Sequence, residues 1–147
     1  MEIINNIVWY FDEPKNAINK TTGKKITKKE LNTVVFDDSI KGSIKICFPL
    51  NNDFLFTEIR EIQRPITVEQ LLTFIHNFYD EPLNQDNLDE AFERNEEWKE
   101  EILERMDGDT RKLTNYHVFE DTCTPDFCGI HLSEDSENEF FVGIGPE

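Results

Sequence analysis

Two cysteines and two histidines in the last third of the chain are the side chains best suited to chemistry: His117, Cys123, Cys128 and His131. A Cys-x4-Cys pair followed three residues later by a histidine offers the thiolate and imidazole ligands that Zn²⁺ binds. The spacing lies at the edge of the range that structural zinc sites use. The sequence therefore predicts these four residues as candidate ligands, and zinc as the one metal or cofactor to consider.

The same residues also have simpler interpretations. The segment 122–128 has the composition of a turn between strands, and cysteine is often buried without any ligand role. Histidines placed in strands can face opposite sides of a sheet. The three cysteines are an odd number, too few for a disulfide framework and typical of a reducing compartment. A Cys123–Cys128 disulfide would require an oxidising particle.

Signatures of catalysis are missing from the sequence. Cys128 and His131 have the types of a nucleophile and a base, but nearness in sequence does not make a hydrogen-bonded pair. There is no glycine-rich phosphate loop, serine elbow or His-Glu-x-x-His motif. His76 lies beside the apolar stripe of a predicted helix and is interpreted as a histidine at the rim of the core. We therefore predict no catalytic or cofactor-binding residues and a protein that is not an enzyme.

Charge divides the chain into two unequal halves. The formal net charge is −16, and residues 1–79 are neutral, with ten basic and ten acidic side chains. Residues 80–147 hold five basic and 21 acidic side chains and carry the whole excess. Such a half repels nucleic-acid backbones and anionic membranes, so we expect neither as a direct partner. The sequence shows no basic signal start and no membrane-spanning apolar run, so a soluble cytoplasmic protein is expected.

The segment 65–83 gives the clearest structural signal. Its apolar residues recur at steps of three and four and so share one helical face: Val68, Leu71, Leu72, Ile75, Phe78 and Tyr79. Thr67 is placed as an N-cap, and Gln70 is placed to complete a capping box. Pro82 cannot continue a helix, because it lacks an N–H and its ring blocks the turn. This pattern predicts a helix that the rest of the fold covers.

A second helix is predicted from Leu88 to about Met106, with Asn87 as its N-cap and Glu90 as the capping-box partner. Its glutamates form two rows at one-turn spacing, Glu93, Glu97 and Glu101 in one row and Glu96, Glu100 and Glu104 in the other. Like charges four residues apart destabilise an isolated helix by about 0.2–0.5 kcal/mol each. Either a basic partner or the chain's own lysines must therefore offset the repulsion, and the nearest such cluster is Lys24, Lys25, Lys28 and Lys29.

Strand patterns surround the two helices. They fall at 3–11, 33–36, 43–48, 54–62, 116–120, 129–132 and 140–144. The segments 33–36 and 43–48 flank Ile40-Lys41-Gly42 and predict a hairpin. We therefore predict a single α+β domain over residues 1–147, with an antiparallel sheet of five to seven strands and the two central helices packed on one face.

Two groups of motifs are distinctive. The first is Ile-Thr-Val-Glu-Gln-Leu-Leu at 66–72 with Phe-Tyr-Asp-Glu-Pro-Leu at 78–83, and the second covers 121–123, 126–132 and 141–146. These motifs resemble segments of a family of small uncharacterised proteins of giant, mimivirus-like DNA viruses. The frequent Asn, Ile, Lys and Phe are similar to the usage of such AT-rich genomes. The resemblance implies a location in the cytoplasm of an infected cell or in the virion, and it supplies no catalytic residues.

Together these observations predict a non-enzymatic, acidic protein–protein interaction module, viral in origin, that binds a basic partner protein. The six glutamates of the second helix are the predicted partner-binding residues. One alternative is a nucleic-acid-mimicking inhibitor of a DNA- or RNA-binding protein, in which carboxylates are spaced like phosphates. Another is a small module stabilised by zinc. Spacing of the carboxylates and a metal analysis are the observations that separate these three functions.

Overall fold

The structure is a computed structural model and describes residues 2–36, 40, 42–49, 57–116, 125–134 and 136–146. The strands within these ranges are β1 Ile7–Val8, β2 Ile18–Asn19, β3 Val34–Val35, β4 Ile44–Pro49, β5 Thr57–Ile62, β6 Ile66–Thr67, β7 Pro125–Leu132 and β8 Glu139–Pro146. The α-helices are α1 Lys28–Leu31, α2 Val68–Asp80, α3 Gln85–Arg94 and α4 Glu96–Arg105. No helix in the described ranges is long and apolar enough to cross a membrane.

The strands form three sheets in the described part of the chain, not one. β1 pairs with β2 and β3 with β6, both antiparallel. The third sheet has the strand order β5-β4-β8-β7. Its outer pairs are antiparallel, whereas the central pair β4–β8 is parallel. The α+β class is thus confirmed, but the predicted single antiparallel sheet of five to seven strands is wrong.

The predicted hairpin between 33–36 and 43–48 is wrong for a physical reason. Along β4 the apolar residues Ile44, Ile46 and Phe48 alternate with Lys45 and Cys47, and all three are buried. However, β4 pairs with β5 and with the distant β8, while β3 pairs with β6 directly before α2. A local pattern shows which face of a strand is buried, but it does not select the neighbour that completes the sheet.

Helix α2 has the predicted position and forms part of the main hydrophobic core. The Thr67 hydroxyl accepts a hydrogen bond from the Gln70 amide at 3.2 Å, and the Gln70 side chain accepts one from the Thr67 amide at 3.0 Å. All six predicted apolar residues are buried. The Phe78 ring stacks on Phe48 of β4 with a centroid distance of 4.0 Å. The capping box therefore sets where the helix starts, and ring packing holds the helix against the four-stranded sheet.

The predicted second helix is two helices. Asn84, not Asn87, caps α3: its side chain accepts from the amide of Asp86 at 2.8 Å. The chain leaves helical geometry at Asn95, where φ is −142° and ψ is 92°. The Asn95 side chain then caps α4 by accepting from the Trp98 amide at 3.1 Å. An asparagine followed by acidic residues in the next turn is the sequence signal that marks this break.

The C-terminal third differs from the prediction in two places. Residues 125–128 belong to β7, although they were predicted as part of a turn. Tyr116 lies in a helical turn and not in a strand, while residues 117–120 of that predicted strand lie outside the described residues. The register of β7 on β8 shifts between Phe127 and Ile130, where Gly129 adopts a φ of 88°. This bulge lets the Ile130 amide donate to the Asn5 side chain at 2.8 Å.

Candidate functional site

The break at Asn95 creates a cleft between α3 and α4. The cleft has a volume of about 450 Å³ and is lined by Asp89, Phe92, Glu93, Glu96, Lys99 and Glu100. Four of these six residues are acidic, and one is aromatic. A continuous helix would place residues 89 to 100 along one cylinder, so this concave surface exists only because the helix is broken. We call this surface the acidic cleft.

The acidic cleft contains three of the six glutamates that the sequence predicted as partner-binding residues. Glu93 comes from α3, whereas Glu96 and Glu100 come from α4. The other three, Glu97, Glu101 and Glu104, are exposed and do not line the cleft. Their spacing places them together on another side of α4. The predicted row Glu93–Glu97–Glu101 is therefore wrong, because Asn95 interrupts the helix between its first two members.

Inside the cleft a cation lies over an aromatic ring. The Lys99 ammonium nitrogen is 5.7 Å from the centroid of the Phe92 ring, which is within cation–π range. On its α4 side, Phe92 packs against the buried Trp98 at a centroid distance of 5.4 Å. Trp98 thereby fixes the position of Phe92. The cleft can thus hold a positive charge over an aromatic ring, between carboxylates.

The carboxylates of this region are not neutralised within the described part of the chain. None of the six predicted glutamates forms an ion pair there, whereas Glu90 outside the cleft pairs with Arg94 at 3.3 Å. The lysines at 24, 25, 28 and 29 likewise form no ion pair with a described residue, and all four are exposed. The expectation that the lysine cluster folds back onto the glutamates is therefore not met among these residues. The negative field of the cleft remains directed toward solvent.

The zinc candidates are only partly covered by the structure. His117 and Cys123 lie outside the described residues, and Cys128 and His131 are both exposed in β7. The Nε2 atom of His131 lies 2.6 Å from the Cys128 carbonyl oxygen. Since a carbonyl oxygen can only accept, Nε2 carries the proton, and Nδ1 is the ring nitrogen of His131 that keeps a lone pair. Among the described residues, no group of three or more histidine, cysteine, aspartate or glutamate side chains could hold a metal ion.

Comparisons with known proteins gave no match: no family model fits the sequence, and no curated protein or solved structure matches it. The chemistry of the cleft therefore carries the functional conclusion. Three of the four acidic residues that line the cleft, Glu93, Glu96 and Glu100, are predicted partner-binding residues, whereas Asp89, Phe92 and Lys99 are not. The contact between the Phe92 and Trp98 rings depends on the break at Asn95, which the pattern of a continuous helix does not predict.

Proposed function

We propose that the protein is a non-enzymatic interaction module whose acidic cleft binds a cationic side chain of a basic partner protein. The observation that carries this proposal is the position of Lys99, whose ammonium group lies over the Phe92 ring in a cleft that four acidic residues also line. The chain's own lysine marks the place that an incoming cation would take. Binding would displace Lys99 toward solvent and bring the partner's charge close to Glu93, Glu96 and Glu100.

Electrostatics supports this proposal in two ways. Unpaired glutamates at helical spacing repel one another, so binding of a cationic partner reduces the electrostatic repulsion that destabilises the free protein. The excess negative charge of the second half of the chain also steers a basic partner toward this surface and raises the association rate. Arginine is the better match for the cleft than lysine, because its planar group both stacks on an aromatic ring and donates to carboxylates in pairs.

No specific observation favours the two alternative functions. A nucleic-acid mimic needs a long regular row of charges, and each row along α4, Glu96–Glu100–Glu104 or Glu97–Glu101–Glu104, contains three glutamates before the helix ends at Arg105. The zinc-stabilised module lacks a ligand set among the described residues. From the resemblance to proteins of giant DNA viruses, we propose the cytoplasm of an infected cell or the virion as the place where the partner is met.

Two matched triple variants test the proposal with an octa-arginine peptide as the probe. The cleft variant is Glu93→Gln/Glu96→Gln/Glu100→Gln, and the control is Glu97→Gln/Glu101→Gln/Glu104→Gln. Both change the net charge from −16 to −13. Calorimetric titration should show the cleft variant binding about tenfold more weakly than the control, because each lost close charge pair contributes on the order of 0.5–1 kcal/mol. Equal weakening in both variants would show that the peptide responds to net charge alone, and the acidic cleft would then not be the site.

A single substitution tests the role of Lys99. Lys99→Gln removes the cation that occupies the cleft, so the affinity for octa-arginine should rise more than in Lys24→Gln, which makes the same charge change at an exposed position. Lys99→Gln should bind octa-arginine about threefold more tightly than Lys24→Gln does. This difference corresponds to a cation–π contact of roughly 0.5–1 kcal/mol. Identical gains in the two variants would contradict displacement of Lys99.

A further inference from the structure

A second cleft, with a different construction, lies at the C-terminal end of α2. Its volume is about 410 Å³, and three chain segments line it: residues 10–12, residues 76–80 of α2, and residues 114–116. The lining side chains include the imidazole of His76, the carboxylates of Asp12 and Asp80, and the rings of Tyr10 and Tyr116. We call it the His76 cleft. The acidic cleft shares none of its residues.

The imidazole of His76 has a defined tautomer. Its Nδ1 atom lies 2.8 Å from the carbonyl oxygen of Phe11. A carbonyl oxygen can only accept, so Nδ1 carries the proton and Nε2 of the neutral ring is an acceptor. Phe11 adopts a φ of 64°, which is rare for a residue with a large side chain, and this geometry accompanies the contact of its carbonyl with α2. Among the described residues, Nε2 has no hydrogen-bond partner.

The charged groups of the His76 cleft are both acidic. Asp12 accepts a hydrogen bond from the Asn16 side chain at 3.1 Å, which orients its carboxylate. Asp80 is exposed and is the last residue of α2, whose final turn contains no basic residue. The C-terminal end of a helix carries partial negative charge and is normally accompanied by cations. Asp80 adds a full negative charge at this end. Arg60 pairs with Glu81 at the same helix end but does not line the cleft, so none of the described lining residues is a lysine or arginine.

The third wall is fixed to the same helix end. The amide of Leu83 donates to the Leu113 carbonyl at 2.9 Å, and the amide of Asn115 donates to the Glu81 carbonyl at 3.0 Å. The buried Asn115 side chain donates to the Phe78 carbonyl at 2.8 Å. These three bonds hold Thr114 and Tyr116 beside His76. The His76 cleft is therefore part of the folded structure and not an accident of an exposed side chain.

We propose that the His76 cleft receives an arginine side chain of the basic partner protein. This contact is in addition to the one that the acidic cleft makes. The inference rests on the proposed function. Two carboxylates and the Nε2 lone pair are hydrogen-bond acceptors, which suits a group that only donates. Guanidinium carries five N–H donors in one plane and can reach several acceptors at once, whereas an ammonium group is a compact charge with three donors.

The test uses the full chain and the tripeptide acetyl-Gly-Arg-Gly-amide, with the neutral citrulline tripeptide as the matched ligand control. The chain contains three histidines, so the ¹⁵N resonances of the imidazoles are few, and His76→Asn assigns the one from His76. The arginine tripeptide should shift the His76 Nε2 resonance, and the citrulline tripeptide should not. Asp80→Asn should weaken the interaction about tenfold, because the arginine loses a charge-assisted hydrogen bond. Asp107→Asn, an equal charge change at an exposed residue outside the cleft, should leave it unchanged.

The outcomes separate this inference from the proposed function. Shifts at His76 that are lost in Asp80→Asn and kept in Asp107→Asn support it. Shifts confined to Phe92, Lys99 and their neighbours overturn the His76 cleft and leave the acidic cleft standing. Equal binding of the citrulline tripeptide overturns recognition of the cation at His76. Absence of shifts in both clefts overturns both proposals. Backbone amide spectra of each variant show that the fold is intact.

Discussion

Arg60 donates two parallel hydrogen bonds to the Glu81 carboxylate, from Nη1 to Oε2 at 3.1 Å and from Nη2 to Oε1 at 3.0 Å. The same guanidinium donates to Glu58 at 2.9 Å and lies 5.1 Å from the centroid of the Phe78 ring. The hydrogen bonds that Arg60 donates to Glu81 raise the pKa of Arg60. This arrangement joins β5 to the end of α2, next to the His76 cleft.

Replacing Arg60 by lysine should destabilise the protein although the charge is kept. Lysine cannot donate to both oxygens of Glu81 and cover the Phe78 ring at once. Because the Arg60 side chain is 40% exposed, the loss of stability should be about 1 kcal/mol and no more. Urea unfolding measures it. Arg94→Lys is the control, since the Arg94–Glu90 contact is an exposed pair within one helix. A loss of stability as large in that variant would contradict the role of the two parallel hydrogen bonds of Arg60.

Leu72 tests whether α2 is the centre of the core. Leu72 is fully buried, so Leu72→Ala should cost about 2–5 kcal/mol and lower the melting temperature by about 5–15 °C. The neighbouring exposed Thr73 provides a control, because Thr73→Ala should change stability by less than about 0.5 kcal/mol. A Leu72→Ala variant that melts within two or so degrees of the parent would show that the packing around α2 is not as described.

Asn95 sets the geometry of the acidic cleft. Asn95→Ala removes the cap that accepts from the Trp98 amide and should cost about 1 kcal/mol. Alanine also favours a continuous helix from Gln85 to Arg105, which would open the cleft and weaken octa-arginine binding. Asn95→Asp keeps a capping side chain and should preserve both stability and binding. Tight peptide binding by Asn95→Ala would mean that the break between α3 and α4 is not needed.

Tyr79 should make the protein sensitive to alkali. Its side chain is buried and donates to the Pro49 carbonyl at 2.8 Å, and burial raises its pKa well above the ordinary value. The unfolded chain ionises this phenol near pH 10, whereas the folded chain does not. Its contribution to stability is therefore complete below about pH 10 and is lost as the pH rises toward the folded-state pKa.

Tyr79→Phe measures this contribution. At pH 7 the variant should be less stable by about 1–3 kcal/mol, because the buried Pro49 carbonyl loses its donor. Urea midpoints of the parent and the variant should converge as the pH rises above about 10, since only the parent carries the Tyr79 phenol. A constant difference between the two proteins from pH 7 to about pH 11 would contradict the shifted ionisation.

The sequence by itself determined those features that depend on neighbours three or four residues away. The start of α2 follows from Thr67 and Gln70, and its buried face follows from the helical period. The alternation in β4 likewise indicated which side chains are buried. The excess of charge in the second half of the chain is a property of composition. These signals are local, so no knowledge of the fold was needed to interpret them.

Only the tertiary structure decided which strands are neighbours and where the clefts lie. β4 lies between β5 and β8, and its parallel contact with β8 joins segments far apart in sequence. The bond between His76 and the Phe11 carbonyl joins residues that no periodic pattern relates. Asn95 carries a local capping signal, but the longer helical pattern around it outweighed that signal. Pairings of this kind depend on how the buried faces of all the elements pack together. A short stretch of sequence shows the buried face of one element and does not show which other face it packs against.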